Sequence, residues 1–264
     1  MTTISNAFIS AAGLGTRLRP ITETTPKPLL PLMGIPIIQF VIDLLNEAQV
    51  KRVVINMHHL PHIMQEGLKK LDFGNMELII SDESTQLLGS GGGIKKAASY
   101  FQNSPFFMLN GDSFCNIDLQ SLAKWHGLLK QNRKNLLTMA IMPEGENLYT
   151  EIFTNKNTYQ IKKLGASVQG RPFYSGISVI EPEVLQNLPE NTAFDFLKEI
   201  LMPQILLGQA YAYLFQCPFI DTGTPELWQK AQTFVTNALE NNSLPPVWAK
   251  RITAGRPLMV PYFS

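Results

Sequence analysis

Cysteine is scarce in this chain: Cys115 and Cys217 are the only two among 264 residues. Two thiols so far apart in sequence make neither a disulfide framework nor a CxxC metal pattern, and both are expected to be reduced. An excess of one charge is also missing, because 22 Lys and Arg offset 21 Asp and Glu for a formal net charge of +1. Without a basic stripe, neither a nucleic-acid partner nor a polybasic membrane contact is expected. Long apolar runs are absent as well. The run over 35–45 is broken by Pro36, Gln39 and Asp43, and a bilayer crossing needs roughly 18 uninterrupted residues. The chain opens Met-Thr-Thr-Ile-Ser-Asn, with no basic region ahead of an apolar stretch, so no secretory signal is read and a cytoplasmic location is the expectation. What the chain does have is 45% hydrophobic and only 16% charged residues, a balance that excludes disorder over most of its length and supplies a large core.

The apolar residues come in an alternating rhythm. Ala7-Phe8-Ile9 reads as a strand, 37–48 as a helix and Val53-Val54-Ile55 as a second strand. A helix over 63–71, a strand over 78–80, a helix after Gly93 and a strand over 106–109 continue it. This is βαβ patterning, which predicts parallel pairing through right-handed crossovers. A helix over 119–130 and a strand over 137–141 follow, and then the pattern shifts to short segments at 149–153, 159–164 and 177–180, read as a mixed or antiparallel extension. A helical stretch over 194–206 precedes a strand candidate at 210–215, and Pro225 is placed to open a helix reaching about residue 239. Pro245, Pro246, Pro257 and Pro261 punctuate the remainder, so 241–264 is read as an irregular tail. The predicted fold class is α/β: a Rossmann-like, mixed but mostly parallel sheet flanked by helices, with a small β-rich extension.

Chemistry concentrates directly after the first strand, in Ala11-Ala12-Gly13-Leu14-Gly15-Thr16-Arg17-Leu18-Arg19-Pro20. At the carboxyl end of a strand in such a sheet, glycines let backbone N–H groups approach phosphate oxygens, and Arg17 and Arg19 offer bidentate charge-assisted bonds. The dinucleotide pattern GxGxxG fails because Leu18 stands where its third glycine belongs, and no GxxxxGK[ST] loop occurs. Ten positions on, Lys27 lies within Thr25-Pro26-Lys27-Pro28-Leu29-Leu30-Pro31, where three prolines set an extended path that aims its ammonium group.

Together these residues resemble the signature of the sugar-1-phosphate nucleotidylyltransferases, which join a nucleoside triphosphate to a sugar 1-phosphate. The resemblance continues at Asn110-Gly111-Asp112, after an apolar strand, and at Asp221-Thr222-Gly223-Thr224-Pro225. It implies a nucleotide-diphospho-sugar transferase fold, with 1–240 a single domain, about 1–135 its nucleotide-binding half, 136–224 its sugar-binding half and 241–264 the tail. It further implies that Ala11, Ala12, Gly13, Gly15, Thr16, Arg17, Lys27 and Gly92 contact the nucleotide, and that Arg17, Lys27, Asp112 and Asp221 are catalytic. Asp112 and Asp221 would be the metal ligands, with Mg2+ as cofactor, since magnesium is commonly held by one or two carboxylates plus substrate phosphates.

Leu88-Gly89-Ser90-Gly91-Gly92-Gly93-Ile94 resembles the glycine-triplet form found among N-acetylmuramate-1-phosphate uridylyltransferases and some mannose- or heptose-phosphate guanylyltransferases. Three glycines are expected to leave room for a planar ring or a sugar. Phe173 to Val179 leans toward the muramate type, so UTP with an amino-sugar phosphate is the favoured pair, and GTP with mannose or heptose 1-phosphate the alternative. The Glu-Lys-Pro element of many relatives is missing, and Gln160-Ile161-Lys162-Lys163-Leu164 occupies the comparable region. Asn110, Glu151, Lys162 and Gly176 are therefore the sugar-site candidates. The reading from another class is a catalytically silent nucleotide-sugar-binding regulatory subunit, and a third is a cytidylyltransferase acting on a non-sugar phosphate. A zinc site at His58, His59 and His62 is disfavoured, because Pro61 interrupts the turn and no further ligand completes the set. The chain is expected to be a monomer or small homo-oligomer.

Overall fold

A computed structural model describes residues 3–145 and 149–254. Its strands are β1 Asn6–Ser10, β2 Pro31–Leu32, β3 Ile35–Pro36, β4 Arg52–Met57, β5 Glu77–Asp82, β6 Phe106–Asn110, β7 Ser113–Cys115, β8 Leu137–Met142, β9 Tyr149–Thr154, β10 Ile161–Val168, β11 Phe173–Ile180, β12 Ala210–Leu214 and β13 Phe219–Asp221. Its α-helices are α1 Ile37–Glu47, α2 Pro61–Leu68, α3 Gly89–Ala97, α4 Leu119–Asn132, α5 Met202–Leu206, α6 Pro225–Glu240 and α7 Pro246–Ala254.

The main sheet has nine strands, with order β10-β9-β11-β6-β1-β4-β5, and β8 joins it to β12 from β11. β1 pairs in parallel with β4 and β6, and β4 with β5, as the βαβ rhythm predicts. β11 runs antiparallel to β6, β8 and β9, the mixed extension expected from the change in pattern. Alternation along each central strand divides the core between the two faces of the sheet. Ala7, Ile9, Val53, Ile55, Phe107 and Leu109 join one apolar cluster, while Phe8, Val54, Phe106 and Met108 join the other. Helices α1, α6 and α7 cover the first face, with Phe40 edge-on to Trp248 at 5.3 Å. On the second face lie α3 and a π-helical turn over Phe196–Leu201. That turn precedes Pro203, which has no N–H to continue an α-helical ladder.

The register fixes where the site lies. Ser10 of β1 is opposite Asn110 of β6, and Ile177 of β11 is opposite Leu109. The carboxyl ends of β1 and β6 and the amino end of β11 therefore share one edge, the edge at which open α/β sheets bind ligands.

The tail departs from expectation. Instead of being irregular throughout 241–264, it forms α7, entered through Pro245 and Pro246 and buried at Trp248 and Ile252; Pro is suited to the first helical turn. Residues 255–264 lie outside the described residues. One ion pair ties α7 down: Arg251 Nε and Nη2 donate to Asp43 at 2.8 Å each, and Nη2 also reaches Asp72 Oδ2 at 2.8 Å. The Asp43 side chain is 1% exposed. Burial raises its pKa, and the Arg251 guanidinium opposes that rise.

Replacing Arg251 by Met is expected to cost roughly 1.5–3 kcal/mol near neutral pH, the penalty for a buried carboxylate without its charged donor. A carboxyl with a raised folded-state pKa binds its proton more tightly when folded than when unfolded, so this loss grows as pH rises through the carboxylate range and shrinks on acidification. Urea melts of both proteins at several pH values measure it.

Candidate active site

Just beyond β1 the chain turns through three short 3-10 segments, Thr16–Leu18, Ile21–Glu23 and Lys27–Leu29. The turn depends on Gly15, whose φ of +62° is left-handed and whose missing side chain would come within 2.8 Å of Thr22 Cγ2. Thr22 is buried and donates from Oγ1 to the Gly15 carbonyl at 2.8 Å. Its own carbonyl meets His59 Nε2 at 2.6 Å, which gives one of the three clustered histidines a structural task. Gly13, by contrast, faces open space, and Thr16 and Arg17 are exposed. The loop thus offers backbone and guanidinium groups to solvent from a rigid base, an arrangement suited to an anion.

Lys27 ends this path in the interior, 8% exposed. Its Nζ donates to Asp112 Oδ2 at 2.5 Å and stands 4.0 Å from Asp221 Oδ1. Gly111 makes the turn to Asp112 possible: its N–H donates to the Ser10 carbonyl at 2.9 Å, and a Cβ there would strike Ile9 at 2.9 Å. Asp221 arrives on β13, which pairs antiparallel with β7 so that Asp221 lies opposite Ser113. Thr222 Oγ1 then donates to the Asp112 carbonyl at 2.6 Å. Residues from three distant parts of the sequence converge on one ammonium group. Arg17 is the fourth member, since a Cβ on Gly223 would lie 2.7 Å from its Nη2 and 2.9 Å from Asp221 Oδ1. Among the described residues Arg17 makes no ion pair.

This donor set fits a magnesium ion. Two carboxylates flank the Lys27 ammonium, with the Arg17 guanidinium near Asp221, and no third acidic, His or Cys side chain joins them as a metal-binding group among the described residues. Mg2+ takes that few protein ligands and completes its shell with water and phosphate oxygens.

Several expected contacts take another form. The glycine run does not hold an open slot. A side chain on Gly92 would meet the Thr192 carbonyl at 2.2 Å, one on Gly91 the Phe194 ring at 2.4 Å, and one on Gly89 the Phe194 carbonyl at 2.8 Å. The clearance expected for a base or sugar is filled by the chain's own 192–195 segment. Gly93 instead lies against Glu83 and Asn56, a buried pair that the sequence reading passed over. Asn56 Oδ1 accepts from the Ala11 N–H at 2.7 Å, Asn56 Nδ2 donates to Glu83 at 2.8 Å, and Glu83 accepts from the Leu88 N–H at 3.1 Å. This relay holds the Ala11 backbone in place. No motif marked it, because its members stand singly in unrelated segments.

On the other side of the edge, Gly176 (φ +81°) is in contact with Asn110, whose Nδ2 would be 2.4 Å from an added Cβ. These two sugar-site candidates are brought together. Glu151 is a neighbour of Phe173 in register and lies 3.9 Å from Arg171. Lys162 is directed elsewhere: it is exposed on the edge strand β10 and bonds Gln160, which is itself held by Gly208 at the β12 side. Lys163 sits over the Phe153 ring at 4.6 Å. Both lysines are thus engaged by Gln160 and Phe153 and make no ion pair with Asp112 among the described residues. Tyr149, Phe173 and Phe219 form an aromatic group, stacked at 4.2 Å and edge-on at 5.4 Å, that links β9 and β11 to the strand carrying Asp221.

The chain is similar to a UTP–glucose-1-phosphate uridylyltransferase of Synechocystis sp., 27% identical over 91% of this chain and 66% of that protein. It thus spans about two thirds of that relative's length. A D-glycero-alpha-D-manno-heptose 1-phosphate guanylyltransferase of Aneurinibacillus thermoaerophilus is 27% identical over 86% of this chain and 96% of its own length. The crystal structure of HddC from Yersinia pseudotuberculosis superposes with a TM-score of 0.74 at 24% identity, covering 88% of this chain and all of that one, and so shares the fold. The family model described as nucleotidyl transferase matches residues 6–165, a stretch that contains the glycine loop, Lys27 and Asp112, and the chain belongs to that family.

Proposed function

We propose that this chain transfers a nucleotidyl group from a nucleoside triphosphate to a sugar 1-phosphate with the help of Mg2+, releasing pyrophosphate. The observation that carries this reading is the meeting of Lys27, Asp112 and Asp221 at the ligand-binding edge of the sheet. In the reaction an oxygen of the sugar phosphate attacks the α-phosphorus in line. The bond from that phosphorus to the bridging oxygen of the β-phosphate breaks, and pyrophosphate departs. The nucleophile is already an anion, so the protein need supply no general base; positioning and charge compensation do the catalysis.

Each residue then has a task. Gly13 and Gly15 present backbone near the phosphates, with Thr16 beside them. Arg17, exposed and without an ion pair among the described residues, compensates the leaving pyrophosphate. Lys27 exchanges its carboxylate partner for the α-phosphoryl group and the acceptor phosphate. Asp112 and Asp221 would hold the magnesium ion, which would supply further neutralisation of phosphate charge. Asn110 and Gly176 contact the sugar.

UTP with an amino-sugar 1-phosphate such as N-acetylmuramate 1-phosphate is the first reading for the substrates. GTP with a mannose or heptose 1-phosphate is the second, favoured by the near full-length match to the heptose-phosphate guanylyltransferase. Pyrophosphate release across five nucleoside triphosphates and a panel of sugar 1-phosphates separates them. UTP with an amino sugar supports the first, GTP with mannose or heptose phosphate the second, and silence from a folded, nucleotide-binding sample supports the regulatory alternative.

With the productive pair in hand, Lys27→Met is expected to lower kcat about 10²–10³-fold, the range for removing one transition-state charge contact. Its circular dichroism should match the unaltered protein. Gly176→Ala should act differently, raising KM for the sugar phosphate about tenfold with little change for the nucleotide, because its Cβ displaces Asn110. Initial-rate kinetics with each substrate varied in turn tests both.

A further inference from the structure

The only two cysteines of the chain meet in space. Cys115 ends β7, and Cys217 lies just ahead of β13. The ladder that sets Cys115 opposite Phe219 brings the two sulfurs to 3.6 Å. Both are free thiols. At that separation the sulfurs are in van der Waals contact, and closing to the roughly 2.0 Å of a disulfide requires only a small movement. The two differ in surroundings: Cys115 is 3% exposed and sealed in the core, while Cys217 is half-buried. A hydrogen bond from the Cys115 thiol holds the Cys217 pKa below its ordinary value, and the same bond together with burial pushes that of Cys115 up. An accessible sulfur that ionises first, backed by a shielded one in contact with it, is the arrangement of an attacking and a resolving cysteine.

We propose that Cys115 and Cys217 are a redox-active pair that closes to an intrachain disulfide by exchange with a low-molecular-weight disulfide, clamping the β7–β13 ladder. The Cys217 thiolate attacks one sulfur of the reagent, forming a mixed disulfide and releasing one thiolate. Cys115 then attacks the Cys217 sulfur and displaces the second reagent thiolate, which takes up the Cys115 proton. The protein is oxidised by two electrons, and the reagent is reduced to two thiols. The clamp falls where it matters for the site, because the ladder that would be closed also pairs Ser113 with Asp221 and follows directly on Asp112. The closure itself is independent of the nucleotidyl-transfer reading.

The test uses the full chain in its native state, incubated with oxidised glutathione and followed by intact mass and thiol titration. The unaltered chain should lose both thiols and two hydrogens without keeping an adduct. Cys115→Ala should stop at one glutathione adduct on Cys217, and Cys217→Ala should stay unmodified because its remaining thiol is buried. The oxidised chain should melt several degrees above the reduced one and return on treatment with dithiothreitol. Amide exchange over 113–115 and 219–221 should slow on oxidation. An unaltered chain that stops at the adduct, keeps both thiols, or closes only in denaturant overturns the pair. Equal exchange in the two forms overturns the clamp. All of these readouts stand whether or not any nucleotide is turned over.

Discussion

One ammonium group between two carboxylates sets the terms for the rest of this structure. Lys27 is nearly buried, and a buried ammonium is costly without opposite charge close by. Asp112 and Asp221 supply that charge, but each is delivered by a different part of the chain, so the fold must bring three loops to one point. β1 leads to the glycine turn that ends at Lys27, β6 leads through Gly111 to Asp112, and β13 presents Asp221 by pairing with β7. The Thr222 hydroxyl on the Asp112 carbonyl locks the last two together. Lys27 and the exposed Arg17 stand against these two carboxylates, so both cationic groups can turn to an incoming anion only if another cation takes their place beside Asp112 and Asp221. The proposed magnesium–nucleotide complex would supply both the anion and the cation.

Close approach is the second constraint, and it explains several of the glycines. Gly15, Gly111 and Gly176 each sit where a side chain would collide with the loop or strand that shapes the edge of the sheet. Gly91 and Gly92 are different, because their missing side chains admit the 192–195 segment and not a ligand. Glycine in a sequence announces that something lies close. It does not say whether that is substrate or the protein itself.

The central sheet was legible because β4 and β6 carry short continuous apolar runs, Val53 to Ile55 and Phe106 to Leu109, set between helical stretches. Pro225 likewise marked the start of α6, where Thr224 caps the helix by accepting from the Leu227 N–H. Other features carried no such signal. β7 and β13 have three residues each, too few for any period to show, yet their pairing joins Asp112 to Asp221. In the tail, a cluster of prolines read as disorder of pattern, but Pro246 opens α7 and the helix is held by Trp248 and by the Arg251–Asp43 pair from far away in sequence. The Asn56–Glu83 relay is a tertiary contact between single polar residues, which local patterning cannot reveal. Lys162 stands on the edge strand β10, where it bonds Gln160, a contact that local patterning likewise does not reveal.

Because the account rests on the two carboxylates sharing a cation with a bound nucleotide, Mn2+ binding followed by electron paramagnetic resonance tests it most directly. In the presence of the nucleoside triphosphate, the unaltered chain should hold Mn2+ at least tenfold more tightly than Asp112→Asn or Asp221→Asn. Without nucleotide, Lys27→Met should bind the ion more tightly than the unaltered chain, because the competing ammonium is gone. Equal affinity across all four proteins under both conditions would contradict the account.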